Sequence, residues 1–242
     1  MKDDAHGGRD TEVIWHEVEC GGYAADLPLW EDLARDTDEP ILDLGCGTGR
    51  VARHLMRRGR EVVGLDANAG LVAELGRDGS VAVVADARDF ELDREFGLAI
   101  APMQLVQLFA DSDERVRCLR CAARHLTSGG LAAFAIVESM PAPVDAAPPL
   151  PDTRELDGWV YSSLPIEAMV ADGAIRVRRL RQTVSPAGEL SEEVDEVVLR
   201  VLDAGTLEDE GREAGLTPAG RRQVPATDAH VGSTIVLFGK GS

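Results

Sequence analysis

Residues Ile41 to Gly49 read I-L-D-L-G-C-G-T-G, a strand-like run that passes into glycines at 45, 47 and 49. Glycine has no β-carbon, so a chain leaving a strand through such a turn can reverse tightly and let a ligand lie against main chain. Residues 50–60 read as a helix, with Val51, Ala52, Leu55 and Met56 on one stripe and Arg53, His54, Arg57 and Arg58 opposite. Cations crowd its last turn, and Gly59 stands where a C-terminal cap belongs. Strand, glycine turn and helix together form the first unit of a nucleotide-type binding fold.

The glycine spacing discriminates among nucleotides. A dinucleotide fingerprint is G-x-G-x-x-G, whereas Gly45, Gly47 and Gly49 give G-x-G-x-G. A phosphate loop of the form G-x-x-x-x-G-K-[ST] is absent from the sequence. Asp43 precedes the first glycine by two, and the next apolar runs end in Asp66 and Asp86. Three strands in succession thus deliver a carboxylate at the end where open α/β sheets bind ligands. Such a ring repels a pyrophosphate and suits a ligand with a ribose, an amine and a positive centre.

With D-L-G-C-G-T-G at 43–49, G-L-D-A-N at 64–68 and A-D-A at 85–87, the chain resembles the class I S-adenosylmethionine-dependent methyltransferases of small-molecule type. The resemblance covers residues 38–138 well and the C-terminal part more loosely. It implies that Gly45, Gly47 and Gly49 line the methionine part of S-adenosyl-L-methionine. Asp66 would hold the ribose hydroxyls, Ala67 would lie against the adenine, and Asp86 with Ala87 would read the adenine edge. Cys46 inside the turn, Ala101 and Met103 after the fourth strand, and Tyr23 from an N-terminal segment folding over the cofactor complete the implied set. The activity implied is methyl transfer to an N, O or C nucleophile by direct displacement.

The alternation of elements supports this class. Helices at 12–20 and 26–35 precede strand 41–45, helix 50–59, strand 61–66, helix 68–75 and strands 81–85 and 97–101. Helix 112–126 comes next, capped by Asp111 with Glu114 as capping-box partner, and then strand 131–137. This β-α rhythm predicts a Rossmann-like, mostly parallel seven-stranded sheet with helices on both faces and an antiparallel last strand. Residues 141–151, with five prolines, predict an extended loop. Strand-like runs at 159–164, 174–184 and 189–201 predict a β-rich insertion. In it Arg176, Arg178, Arg179 and Arg181 would face Glu192, Glu193, Asp195 and Glu196 across a hairpin. Helix 206–215, with Thr206 as N-cap, and strands 220–224 and 231–239 close the fold. The expected organisation is one domain over 1–242, with a helical cap at 1–37, a cofactor-binding core at 38–140 and 203–242, and a substrate-side insertion at 141–202.

Composition narrows the partners. A net charge of −18 argues against nucleic acid or anionic membrane, since there are no surplus cations to displace counterions. The fourth strand is followed by A-P-M-Q at 101–104, without the N/D-P-P-Y pattern of base-amine methyltransferases, so a small-molecule substrate is expected. The polar opening residues carry no signal-peptide core, which points to the cytoplasm. Cys118 and Cys121 sit one turn apart on an apolar helical stripe, with no second pair to complete a metal site, and are expected in the core.

Catalytic candidates are fewer. Glu138 closes the fifth strand at its ligand end and is the acid placed to orient an amine or take a hydroxyl proton. His16 in the N-terminal segment is the second; Trp15 and Tyr23 beside it are substrate walls or packing residues. His54 and His125 lie away from strand ends. Two alternatives stand beside methyl transfer. One is a protein that binds the same cofactor without methylating. The other is a nicotinamide oxidoreductase, disfavoured by the glycine spacing and the lack of Tyr-x-x-x-Lys. Oligomeric state and substrate identity are not legible.

Overall fold

The computed structural model describes residues 10–37, 40–140, 150–227 and 230–241. Its elements run α1 (Thr11–Cys20), α2 (Leu27–Arg35), β1 (Ile41–Leu44), α3 (Arg50–Met56), β2 (Val62–Asp66), α4 (Ala69–Gly76), β3 (Val81–Val84) and β4 (Phe96–Ala101). After a 3₁₀ turn at Leu105–Leu108 come α5 (Ser112–His125), β5 (Leu126–Ile136), β6 (Asp152–Leu156), β7 (Trp159–Ala171) and β8 (Ala174–Val184). The chain ends with β9 (Leu190–Arg200), α6 (Ala204–Glu213), β10 (Leu216–Val224) and β11 (Ser233–Lys240). Two compact units result: Met1–Tyr23 with Met140–Leu199, and Ala24–Ser139 with Arg200–Ser242.

The larger unit holds a seven-stranded sheet in the order β10-β11-β5-β4-β1-β2-β3. Strands β1 to β5 pair in parallel, while β11 runs antiparallel to both β5 and β10. This is the Rossmann-like sheet that the β-α rhythm predicts. From β1 the chain steps outward to β2 and β3, then crosses to β4 and β5 on the other side. The crevice between β1 and β4 is therefore the topological switch point, where open α/β sheets take their ligands. Strands β1 and β4 are buried along their whole length, as parallel strands covered on both faces must be.

Helix starts reflect local chemistry. Asp111 accepts the Glu114 N–H at 3.0 Å, as predicted, and Glu114 in turn accepts the N–H of Ala110 at 2.8 Å. The cap of α6 is Asp203 and not Thr206: its carboxylate takes the Thr206 N–H at 3.0 Å and hydroxyl at 2.7 Å, starting the helix earlier. His54, expected on the charged face, is mostly buried, and α3 stops at Met56 before a turn that ends at Gly59. Cys118 and Cys121 are buried in the core, together with Leu119 and Ala122. A buried bidentate pair, Arg115 to Glu210 at 2.6–3.2 Å, joins α5 to α6.

The smaller unit is a four-stranded antiparallel sheet, β6-β7-β8-β9, with α1 packed on it. Ile14, Trp15 and Val18 of α1 form a cluster with Tyr161, whose ring meets Trp15 edge-on at 5.6 Å. Glu19 accepts Arg181 at 2.8 and 2.9 Å and the Ser163 hydroxyl at 2.8 Å. Burial pushes the Glu19 carboxyl up, but these bonds outweigh it and leave the group below its usual range. Of the predicted hairpin charges, Arg176 meets Glu196 and Arg181 meets Asp195, while Arg178 turns to Glu167 and Arg179 to Asp152. Strand β7 runs past Pro165 to Ala171, with a register shift between Pro165 and Glu167 that spares the missing N–H. The proline loop, the opening residues up to 9 and part of the final hairpin connection lie outside the described residues.

Candidate cofactor-binding site

The glycine turn leaves β1 with Gly45, Gly47 and Gly49 all at positive φ, a region that L-residues with a β-carbon rarely adopt. Space is as restrictive as conformation. A β-carbon on Gly45 would stand 3.0 Å from Leu105 Cδ1, and one on Gly49 would collide with Leu75. The turn thus needs glycine both to bend and to lie close against its neighbours.

Asp43 is 1% exposed, and its Oδ1 meets no hydrogen-bond donor. Burial raises its carboxyl to about 7, against the opposing pull of Arg50 and the Ala52 N–H. Arg50 itself is tied by a fork to Asp26, at 2.6 and 2.7 Å, and Asp26 also accepts the Trp30 indole N–H at 2.8 Å. Asp66, at the end of β2, accepts the Gly47 N–H at 2.9 Å and the Asn68 N–H at 2.9 Å, so it fixes the turn and the start of α4 together. Asn68 caps that helix through the N–H groups of Gly70 and Leu71. Asp86, just beyond β3, is held in a bidentate pair by Arg88, which keeps its carboxyl below the usual carboxylate range. Ala67 is exposed and Ala87 buried, flanking these two acids.

On the far side of the crevice, β4 ends at the buried Ala101, and Met103 adopts φ +63. A side chain in that region costs about 1–2 kcal/mol, which the surrounding packing must offset. Cys46 is buried in the turn, and burial pushes its thiol far up, so it is a packing residue there and not a nucleophile.

Glu138 lies just beyond β5, and both its oxygens are engaged: Oε1 with the Ala204 N–H at 2.9 Å and Oε2 with the Thr234 hydroxyl at 2.6 Å. Gln107, which sequence reasoning passed over, is fully buried. Its amide donates to the carbonyls of Val137 at 3.0 Å and Arg200 at 2.9 Å, and its oxygen takes the Val137 N–H at 2.7 Å. Nothing in an isolated L-V-Q-L marks this glutamine, since its partners are main-chain groups distant in sequence. His16 and Tyr23 belong to the smaller unit with α1. Trp15 there is a packing residue, with the Arg181 guanidinium 5.2 Å from its ring. His125, buried against Phe90, spends its nitrogens on Leu92 N–H and the Cys121 carbonyl.

A family model described as a methyltransferase domain matches residues 41–130, the stretch from β1 to just past the end of α5. The cypemycin N-terminal methyltransferase of a Streptomyces species is 35% identical over 114 residues, covering 45% of this chain and 46% of that protein. The dTDP-3-amino-3,4,6-trideoxy-α-D-glucopyranose N,N-dimethyltransferase of Streptomyces venezuelae is 27% identical over 147 residues, covering 59% and 57%. The chain thus spans about half the length of the curated relatives it matches. It shares its fold with a sugar N-methyltransferase from a Streptoalloteichus species. That likeness has a TM-score of 0.76 at 18% identity and covers 97% of this chain and 94% of that one. Among the described residues no helix is long and apolar enough to cross a membrane, and no group of three or more His, Cys, Asp or Glu side chains is placed to hold a metal ion.

Proposed function

We propose that this chain is an S-adenosylmethionine-dependent methyltransferase that methylates an amine nitrogen of a small molecule. The observation that carries the reading is the placement of Asp43, Asp66 and Asp86 at the ligand ends of three adjacent parallel strands, around a turn that only glycines can form. The residues fit the cofactor. Asp43 has a buried oxygen without a partner, suited to a nearby cation such as the ammonium of the methionine part. Asp66 has one lone pair left on each oxygen for the ribose hydroxyls after accepting Gly47 and Asn68. Ala67 and Ala87 are small enough to leave room for the adenine, and Asp86 stands at its edge. Ala101 and Met103 complete the proposed wall on the β4 side.

When bound, the cofactor supplies a methyl group on a positive sulfur, open to displacement by a nitrogen lone pair. The protein's part is to hold, align and exclude water, which can lower a barrier by about 7–11 kcal/mol. A neutral amine needs no base before attack, because its proton leaves afterwards. This agrees with Glu138, whose carboxylate anchors the N-terminus of α6 and β11 and is occupied in both directions. Glu138 is therefore proposed as a positioning residue. Nitrogen is favoured over oxygen or carbon by two relatives that align over longer stretches, 114 and 147 residues, and are named as an N-terminal methyltransferase and an N,N-dimethyltransferase. The smaller unit is proposed to serve the substrate. The chain's net charge of −18 supports a substrate other than nucleic acid, and a cytoplasmic location belongs to the same reading. The test is turnover of S-adenosylmethionine to S-adenosylhomocysteine across a panel of amines. Binding without turnover would favour the non-methylating alternative.

A further inference from the structure

The outer stripe of α5 carries Arg117, Arg120 and Arg124, spaced so that they stack along one side of the helix. Arg88 and Asp89, from the segment after β3, face them across a shallow cavity of about 270 Å³ whose floor includes Cys121. Four guanidinium groups and one carboxylate line this space, in a chain whose net charge is −18.

The arginines of this groove are less fully matched than those elsewhere. Arg50, Arg115 and Arg181 each form a tight fork or pair with a carboxylate. In the groove only Arg88 does so, with Asp86 and Glu114 at 2.6 Å each. Arg117 reaches the same Glu114 at no better than 3.6 Å. Arg124 donates only to neutral acceptors, the Phe90 carbonyl at 3.4 Å and Cys121 Sγ at 3.2 Å. The Arg120 guanidinium has neither a hydrogen bond nor an ion pair among the described residues. Like charges held together on one wall repel, and a local anion relieves that repulsion. Planar guanidinium forks match the oxygens of a phosphate group.

We propose that this groove is an anion site that binds the phosphate group of a small phosphorylated molecule. Its dimensions suit one such group and not the run of phosphates along a nucleic acid, which the negative charge of the whole chain also repels. Asp89 sets the selectivity: a weakly held monovalent ion gains little against it, whereas a dianion engages two or more guanidiniums at once.

Calorimetric titration of the full chain with inorganic phosphate, pyrophosphate and glucose 6-phosphate tests this, at fixed ionic strength with chloride as the balance. The expected result is saturable binding at one site, weakened about tenfold or more in Arg120→Gln/Arg124→Gln. The ligand-free melting temperature should be retained, and Arg222→Gln, which removes the same kind of charge elsewhere, should leave the affinity unchanged. Tighter binding of the sugar phosphate than of free phosphate assigns an organic ligand, and the reverse assigns the inorganic ion. The proposal is overturned by no saturable heat with any of the three, by equal weakening in Arg222→Gln, or by an affinity indifferent to the groove arginines.

Discussion

Gly47 donates its backbone N–H to Asp66 Oδ2 at 2.9 Å, so the carboxylate ending the second strand also fixes the glycine turn that ends the first. One residue thus shapes the turn and, in the proposed function, grips the ribose. Asp66→Ala should therefore weaken S-adenosylmethionine by about 2–3 kcal/mol, the range for hydrogen bonds to a charged group. Calorimetry on the folded variant checks this, and an unchanged affinity removes the assignment.

In the proposed function, Asp43 should make cofactor binding depend on pH. Its carboxyl is raised from 3.8 to about 7, so the folded protein holds a proton that the unfolded chain releases. The associated stability is complete below pH 3.8 and is lost as pH rises through about 7. A cationic ligand beside Asp43 favours the charged form, so affinity should climb between about pH 6 and 8. Titrations across that range should show the slope in the native chain and a flat profile in Asp43→Asn.

Glu138 separates anchoring from proton transfer. Glu138→Gln keeps an acceptor for the Ala204 N–H, so kcat at saturating substrate should stay within about threefold of the native value. Loss of a true general base would instead cost about a hundredfold or more. Glu138→Ala leaves the Ala204 N–H without its acceptor and the Thr234 hydroxyl with only Gln223 Oε1 at 3.3 Å, and should lower stability by about 1–3 kcal/mol in urea unfolding.

Gln107 should matter more to stability than its place in a short 3₁₀ turn suggests. In Gln107→Leu the Val137 N–H and two carbonyls lose their partners at a buried site, and a loss of about 2–4 kcal/mol is expected. Equilibrium denaturation measures it, and a loss under about 0.5 kcal/mol would mean that water replaces the amide.

What was legible in the sequence was local or periodic. The glycine turn, the Asp111 cap and the apolar stripe of α5 each depend on residues a few positions apart, and the sheet is implied by the β-α rhythm. Features that rest on partners distant in sequence were not legible, Gln107 and the two bonds of Glu138 among them. Pro165 hid the second half of β7, because a proline reads as a strand breaker unless its missing N–H falls at a register shift. Thr206 read as the cap of α6 because nothing local distinguishes it from Asp203, whose side chain in fact accepts from it. The arginines of β8 took partners from three strands and α1, which a hairpin reading cannot anticipate.

The most direct measurement traces isotope-labelled methyl from S-adenosylmethionine through the purified chain, presented with amino sugars, peptides with a free N-terminus, phenols and sugar alcohols. S-adenosylhomocysteine release is expected together with label on nitrogen of one amine class, both lost in Asp66→Ala. Label on oxygen or carbon, or bound cofactor that no acceptor turns over, would contradict the proposed function.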